Sequence, residues 1–206
     1  VVRGVFYWFA LLFVFAYLQC ETYRALGFFT PLRQPALTLL WVAMAAYFLR
    51  RYLKEQRSYL LTVLAIFLLV AIGKTLTVDL WSWHLRDRWL FGGEYRGLVV
   101  GLRWLDFGGT LALLAAGWRL FGTASARNLQ RLFGYGGLAL LFLFTTLEVR
   151  SFLHALLPAF LDGGTSVVWA LFAVAFLVGG IRRQVKPLRF AGLGLFLIVV
   201  AKVFLV

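Results

Sequence analysis

The stretch SYLLTVLAIFLLVAIGKTLTV, residues Ser58–Val78, decides the fold of this chain. Apart from Lys74 it carries no charge, and it is as long as the roughly 20 residues that an α-helix needs to cross a bilayer. Further apolar runs lie at about Gly4–Cys20, Gln34–Leu49, Gly97–Trp118, Leu132–Leu147, Gly163–Ile181 and Leu188–Val206. The sequence therefore predicts an all-α, polytopic transmembrane helical bundle of about seven spans.

The composition agrees with a membrane setting. The chain is 63% hydrophobic and 14% charged, whereas about a quarter of a soluble domain is charged. Its net charge of +13 is divided among short loops and is not interleaved with aromatic residues on a polar surface, so the charge does not indicate nucleic-acid binding. The single cysteine, Cys20, excludes an internal disulfide and a cysteine-based metal site. The expected partners are membrane lipids.

The basic residues predict the orientation of the chain. They concentrate in three turns: Arg50, Arg51, Lys54 and Arg57; Arg119, Arg127 and Arg131; and Arg182, Arg183, Lys186 and Arg189. With seven spans these turns share one side of the membrane, and the positive-inside rule assigns that side to the cytoplasm. The N-terminal end of the chain, beside Arg3, is then cytoplasmic as well.

An internal repeat is expected at an offset of 128 residues. The strongest identities are Trp41, Gln56 and Lys74, which recur as Trp169, Gln184 and Lys202. Spans one to three then resemble spans five to seven in the same membrane orientation, so the repeat is parallel. This predicts a first three-helix repeat at 1–80, an interfacial segment plus linking helix at 81–131, and a second three-helix repeat at 132–206.

Two further patterns carry expectations. Glycines follow two of the basic turns, at Gly134, Gly136, Gly192 and Gly194, where small residues permit close helix packing in lipid. The chain begins at Val1, has Met44 as its one methionine and stops inside an apolar run. We expect it to be a piece of a longer polypeptide.

Charged residues within the spans are the candidate site. Glu21 with Lys74, and Glu148 with Lys202, fall toward the outer ends of their helices, where each lysine could meet the glutamate of its own repeat. Charges inside a membrane are functional candidates, here for an anionic head group or a translocated ion. The alternative is structural: an ion pair that locks helices, or a lysine reaching to the interface.

Arg103 and Asp106 form a second candidate on the fourth span. Their i, i+3 spacing puts them on one helix face, either as a neutralising pair or as part of a binding site.

The chain offers little for metal or cofactor chemistry. The outer-side residues His84, Asp87, Glu94, His154 and Asp162 lack the spacing of a metal motif, so no metal site is predicted. No phosphate loop, dinucleotide fingerprint or haem motif is present, and no cofactor is predicted.

The polar stretch Leu80–Arg96 is rich in tryptophan. Trp81, Trp83, Trp89 and Tyr95 have charged residues interspersed among them, as in a segment lying at the outer membrane–water interface. A lid over an extracytoplasmic site would have a similar composition.

Several motifs resemble a known family. Lys74-Thr-Leu-Thr-Val-Asp79-Leu80, the basic turn Arg182-Arg183 to Arg189, and Ala201-Lys202-Val-Phe-Leu205 are similar to a family of large bacterial predicted membrane proteins of unknown function. That family is built of many tandem helix pairs, each closed by a lysine, apolar residues and Asp-Leu. The resemblance implies this architecture and a bacterial inner-membrane setting. It does not indicate which activity the protein has.

These observations leave three functional hypotheses. The first is a non-enzymatic scaffold or transport-type component of the inner membrane that handles a cell-envelope substrate. The second is a membrane-embedded enzyme acting on a lipid-linked sugar or phospholipid through the acids Asp79, Asp87, Glu94 or Asp106. The third is an accessory subunit, whose partners would be other membrane subunits.

Overall fold

A computed structural model describes residues 2–86, 89–92, 95–123 and 127–205. Its helices are α1 Val2–Ala25, α2 Thr30–Glu55, α3 Ser58–Lys74, α4 Leu80–Ser82, α5 Gly97–Thr123, α6 Arg127–Leu156, α7 Leu161–Arg182 and α8 Lys186–Leu205. A π-helical turn, Thr75–Asp79, joins α3 to α4, and short 3₁₀ turns, Leu26–Phe28 and Pro158–Phe160, precede α2 and α7. The predicted all-α character is confirmed.

Most of the long helices could cross a membrane. Six stretches of the described residues are long and apolar enough: Thr30–Glu55, Ser58–Ser82, Gly97–Gly122, Arg127–Leu156, Pro158–Arg182 and Lys186–Phe204. Helix α1, with 24 residues, is not among these six. A helical membrane bundle is therefore supported, and the seventh span stays a prediction.

The chain forms two compact units. The first comprises Val1–Trp83 and Arg96–Gly137, and the second comprises His84–Tyr95 and Leu138–Val206. The helix expected to link two repeats, α5, belongs to the first unit, where it packs against α2. The division into repeats at 1–80 and 132–206 stays a prediction.

Aromatic rings and small residues hold the first unit together. Phe15 of α1 meets Trp41 of α2 edge-on, with ring centroids 4.8 Å apart, and both rings contact Phe67 of α3. On the other side of α2, a Cβ atom at Gly109 of α5 would come within 2.7 Å of the Leu39 side chain. Helix α2 is thus the centre of this unit, with α1, α3 and α5 around it.

The turn between α2 and α3 depends on a left-handed residue. Gln56 has φ 53°, and its N–H donates to the Tyr52 carbonyl at 2.7 Å, which closes the end of α2. Helices commonly end on a left-handed residue, usually glycine. Because α3 starts two residues later at Ser58, the two helices run antiparallel.

In the second unit, α7 and α8 form a closely packed helical hairpin. A Cβ atom at Gly192 of α8 would lie 2.8 Å from Leu177 N and 2.9 Å from the Ala173 carbonyl oxygen of α7. Gly194, two residues on, has open space around it. The predicted role of glycine in close helix packing is thus confirmed for Gly192 and wrong for Gly194.

A small hairpin lies in the segment predicted to be interfacial. Strands β1, Leu85–Arg86, and β2, Leu90–Phe91, pair antiparallel, with Leu85 opposite Phe91. The Phe91 N–H donates to Ser151 Oγ of α6 at 2.9 Å. This hairpin was not predicted, because two-residue strands leave no periodic pattern in the sequence.

Candidate functional site

Lys74 lies at the centre of a buried polar cluster in the first unit. Its ammonium donates to Asp79 Oδ1, to Thr38 Oγ1 at 2.7 Å and to the Gln34 carbonyl oxygen at 3.2 Å. An ammonium group has three N–H donors, so all of them are used. The Thr38 hydroxyl in turn donates to Asp79 Oδ2 at 2.8 Å. Lys74 therefore has no donor left for an anionic ligand in this conformation.

The π-helical turn brings Lys74 and Asp79 together. In an α-helix, residues five apart lie on different faces, whereas the i to i+5 bonding of a π-turn aligns them. Thr75–Asp79 forms such a turn directly after Lys74. Thr75 within it is buried, and its hydroxyl lies 3.4 Å from that of Thr110 on α5. The turn thus builds the ion pair and contacts α5 at the same point.

Asp106 of α5 is the second acid of the cluster. Its Oδ2 accepts a hydrogen bond of 3.2 Å from Trp83 Nε1. Among the described residues, no donor reaches its other oxygen, Oδ1. The carboxyl groups of Asp79 and Asp106 are close enough to interact electrostatically, and both side chains are 0% exposed. A buried carboxyl group with a bare oxygen is unusual, because buried polar atoms nearly always find partners.

The second unit has a related but more open arrangement. Lys202 of α8 donates to the Asp162 carbonyl oxygen at 3.2 Å, and its ammonium lies 3.8 Å from Asp162 Oδ1. The ammonium also lies 5.7 Å from the centre of the Trp169 ring, within the range of a cation–π interaction. The Asp162 side chain is 72% exposed, so this ion pair is far less buried than that of Lys74.

A cavity of about 720 Å³ opens beside this pair. Its walls are formed by Trp89, Phe142, Leu143, Thr146, Leu147, Arg150, Leu161, Asp162 and Trp169. The volume falls in the range of ligand pockets, roughly 300–1,000 Å³. The cavity combines apolar walls with one basic and one acidic side chain, which suits a molecule that has an apolar part and an ionised part.

Comparison with known proteins settles the family. The model of the family described as "Predicted membrane protein (DUF2339)" matches residues 1–206. The chain belongs to this family. No curated protein and no solved structure matches it. Together with the six apolar helices, membership identifies a multi-pass membrane protein, and the predicted resemblance to a membrane family of unknown function is confirmed.

The two lysines do not contact the glutamates that were predicted as their partners. Lys74 binds Asp79, while Glu21 is exposed near the end of α1. Lys202 lies beside Asp162, while Glu148 of α6 is 6% exposed and accepts a hydrogen bond from the Tyr95 hydroxyl at 3.3 Å. Both expected pairings are therefore corrected. A binding role for these residues stays a prediction.

Arg103 and Asp106 lie on α5 as expected, and both are buried, with Arg103 only 2% exposed. The donor to Asp106 Oδ2 is Trp83, however, which follows α4. The predicted pair is thus replaced by a contact between α5 and the end of the α3–α4 segment.

The residues weighed for a metal site do not assemble among the described part of the chain. His84 and His154 are both exposed, and no group of three or more His, Cys, Asp or Glu lies close enough to hold an ion there. Asp87 and Glu94, also weighed as acids of an enzyme, lie outside the described residues.

Lys74 was predictable as a site residue, whereas its contacts with Thr38 and Asp79 were not predicted. One signal was present: in the resembled family, a lysine followed by apolar residues and Asp-Leu closes each unit, and here Lys74 precedes Asp79-Leu80 by that spacing. Thr38 gave no signal, because a lone threonine in an apolar helix usually bonds to its own backbone.

Proposed function

We propose that this protein is a non-enzymatic, transport-type component of a bacterial inner membrane that handles a cell-envelope substrate. One observation carries the proposal: Lys74, Asp79 and Asp106 form a buried charged cluster within helices that are apolar enough to cross the membrane. Such charges are costly in a bilayer, and they mark ion and substrate pathways in many membrane proteins.

The burial of the cluster favours transport over catalysis. Asp79 and Asp106, two acids of the alternative enzyme, are 0% exposed. A general acid or base has to reach its substrate, typically within hydrogen-bond distance or through one water molecule. A transport-type site, in contrast, is expected to be closed in some conformations and open in others, because alternating access exposes it to one side of the membrane at a time.

The cavity of the second unit supports an envelope substrate. Its apolar walls and its Arg150 and Asp162 side chains fit an amphipathic molecule with an ionised head. We propose that it lies toward the outer side of the membrane, because it adjoins the Pro158–Phe160 turn rather than the basic turn near Arg182.

The same proposal includes seven spans and a parallel repeat. The donation of Lys74 to Gln34 and that of Lys202 to Asp162 are related by the offset of 128. Gln56 and Gln184, also 128 apart, both have a positive φ. Trp41 contacts Phe15, and Trp169 contacts Phe142, which lies 127 rather than 128 residues after Phe15, with ring centroids 6.0 Å apart in the second pair. These equivalences support duplication.

Cysteine labelling tests the orientation. In a Cys20→Ala background, Gln56→Cys and Gln184→Cys should react with an impermeant thiol reagent only from the cytoplasmic side. Ala159→Cys, in the turn before α7, should react only from the opposite side. Labelling of the 56 and 184 positions from different sides would overturn both the repeat and the orientation.

Complementation tests the role of the cluster. Cells that lack the gene are supplied with the wild-type chain, Lys74→Met, Asp106→Asn or the control Thr62→Val, at matched membrane levels. A transport-type role predicts graded loss of rescue for the first two variants and full rescue for the control. An enzyme predicts that one carboxylate variant abolishes rescue completely. Full rescue by a more stable Lys74→Met protein would show that the cluster is only structural.

A further inference from the structure

One atom of the buried cluster has an unused hydrogen-bonding position. Asp106 is 0% exposed, its Oδ2 accepts from Trp83, and no donor among the described residues reaches its Oδ1. Leaving an ionised carboxylate oxygen bare in an apolar interior is very unfavourable, whereas a neutral carboxyl group is tolerated far better. The position therefore calls for a proton on the carboxyl group itself, or for a cation or a water molecule at Oδ1.

The neighbouring cation does not fill this position. Lys74 uses its three N–H donors on Asp79, Thr38 and the Gln34 carbonyl. Its charge is thus directed at Asp79, which receives a hydrogen bond on each of its two oxygens.

The surrounding elements place both positive and negative charge near Asp106. Asp79, at the end of the π-helical turn, interacts electrostatically with Asp106, and so does Lys74, which directly precedes the turn. Helix α2 contributes only uncharged groups to the cluster, the Thr38 hydroxyl and the Gln34 carbonyl. On α5 itself, Arg103 lies one turn earlier. Two nearby carboxylates disfavour each other's ionisation, so a proton on one of them lowers the energy of the pair.

We infer that Asp106 Oδ1 is a proton-binding site, occupied in the conformation seen here. On uptake an O–H bond of a hydronium ion breaks as an O–H bond to Oδ1 forms, which leaves a water molecule; on release the bond to Oδ1 breaks and a water molecule takes the proton to become hydronium. Oδ2, which accepts from Trp83, is then the carbonyl oxygen of the neutral acid. The inference deepens the proposed function and rests on it for the membrane setting of the cluster.

Infrared spectroscopy of the purified full chain in lipid nanodiscs tests this directly. At neutral pH the wild-type protein should show the C=O stretch of a protonated carboxylic acid, with the small downshift in D₂O that marks an exchangeable proton. The band should be lost in Asp106→Asn and kept in the control Asp162→Asn, whose side chain is exposed. It should move to higher frequency in Trp83→Phe, because the carbonyl loses its hydrogen bond.

Three results would overturn the proton site: no such band in the wild type, an unchanged band in Asp106→Asn, or loss of the band when sodium replaces choline at constant pH. The last result would identify a metal cation as the ligand. If Asp106→Asn does not fold, the Trp83→Phe shift decides, and an unshifted band there refutes the assignment. The infrared band reports the proton site and does not depend on transport. If the band is present but Lys74→Met fully rescues the cells, the proposed function is refuted and the proton site is not.

Discussion

Lys74 and Lys202 make the same main-chain contact in the two units of the protein. Each ammonium donates to a carbonyl oxygen 40 residues earlier, Gln34 in one case and Asp162 in the other, and both distances are 3.2 Å. The contacts differ in their surroundings: the acid that pairs with Lys74 is buried, while the one beside Lys202 is mostly exposed. This difference allows one lysine to serve as the control for the other.

Lys74→Met should destabilise the protein much more than Lys202→Met. Removing Lys74 leaves the buried Asp79 without its cation, a change that costs about 3–5 kcal/mol in the free energy of unfolding. Removing Lys202 breaks its largely exposed ion pair with Asp162, which should lower the free energy of unfolding by about 1 kcal/mol. Thermal unfolding of the purified variants in one detergent measures the difference. Equal losses of stability would contradict the contrast in burial.

The double variant Lys74→Met with Asp79→Leu refines this test. Because both buried charges are then removed together, most of the stability lost in Lys74→Met should return. If the double variant is no more stable than Lys74→Met, the single substitution acts through packing and not through the unpaired carboxylate of Asp79.

Thr38→Val should weaken the cluster without changing its volume. The variant removes the hydroxyl that accepts from Lys74 and donates to Asp79, so about 1–3 kcal/mol of stability should be lost. Thr62→Val is the matched control, since the Thr62 hydroxyl is exposed and bonds only to its own helix. Chemical unfolding of both variants should show a change in Thr38→Val alone, and a neutral Thr38→Val would argue against the hydrogen bonds described here.

Gly192→Ala should disrupt the packing of α7 against α8. The new methyl group would lie 2.8 Å from Leu177 N, a backbone atom that cannot rotate away, so about 1–3 kcal/mol should be lost. Gly194→Ala, on the same helix with open space around it, should be neutral or stabilising by up to about 1 kcal/mol, because alanine favours helix. The melting temperature should fall in Gly192→Ala and should stay unchanged or rise in Gly194→Ala. A destabilised Gly194→Ala would contradict this packing.

Ser151→Ala should loosen the small hairpin. Its hydroxyl accepts from the Phe91 N–H at 2.9 Å, and the substitution removes this hydrogen bond. Amide hydrogen exchange at Phe91 should accelerate about tenfold, which corresponds to about 1.4 kcal/mol. Ser166→Ala, which affects only an exposed hydroxyl bonded within α7, should leave that rate unchanged. Unchanged exchange in Ser151→Ala would rule out this hydrogen bond.

The helical architecture was predictable because it follows from chain-wide apolar runs. The run at Ser58–Val78 corresponds to α3 and the π-helical turn after it, and the basic turn before Ser58 falls where α2 ends. The packing role of Gly192 was predictable for a related reason, since small residues are the general means of close helix contact in lipid. Each of these features can be predicted from the residue types along a single helix.

The partners within the cluster were not predictable in the same way. Lys74 and Asp79 are five positions apart, and only the π-helical turn puts them side by side. No periodicity in the sequence predicts that turn. The hydrogen bond from Trp83 to Asp106 joins the polar segment after α4 to helix α5. The spacing of these two residues along the chain does not predict that they meet. Such contacts arise from tertiary packing rather than from local pattern.

The three bonds of Lys74 have a mechanical consequence. They fasten α2 to the end of α3 at the level of Gln34 and Thr38, while the short connection at Gln56 fastens the same two helices at their other end. Two helices that are tied at both ends resist sliding past each other. Helix α5 packs on this pair where Gly109 lies beside Leu39. It also meets the segment after α3 through the Thr75–Thr110 hydroxyl contact and the Trp83–Asp106 hydrogen bond, so a shift of α5 against the pair would have to break these contacts.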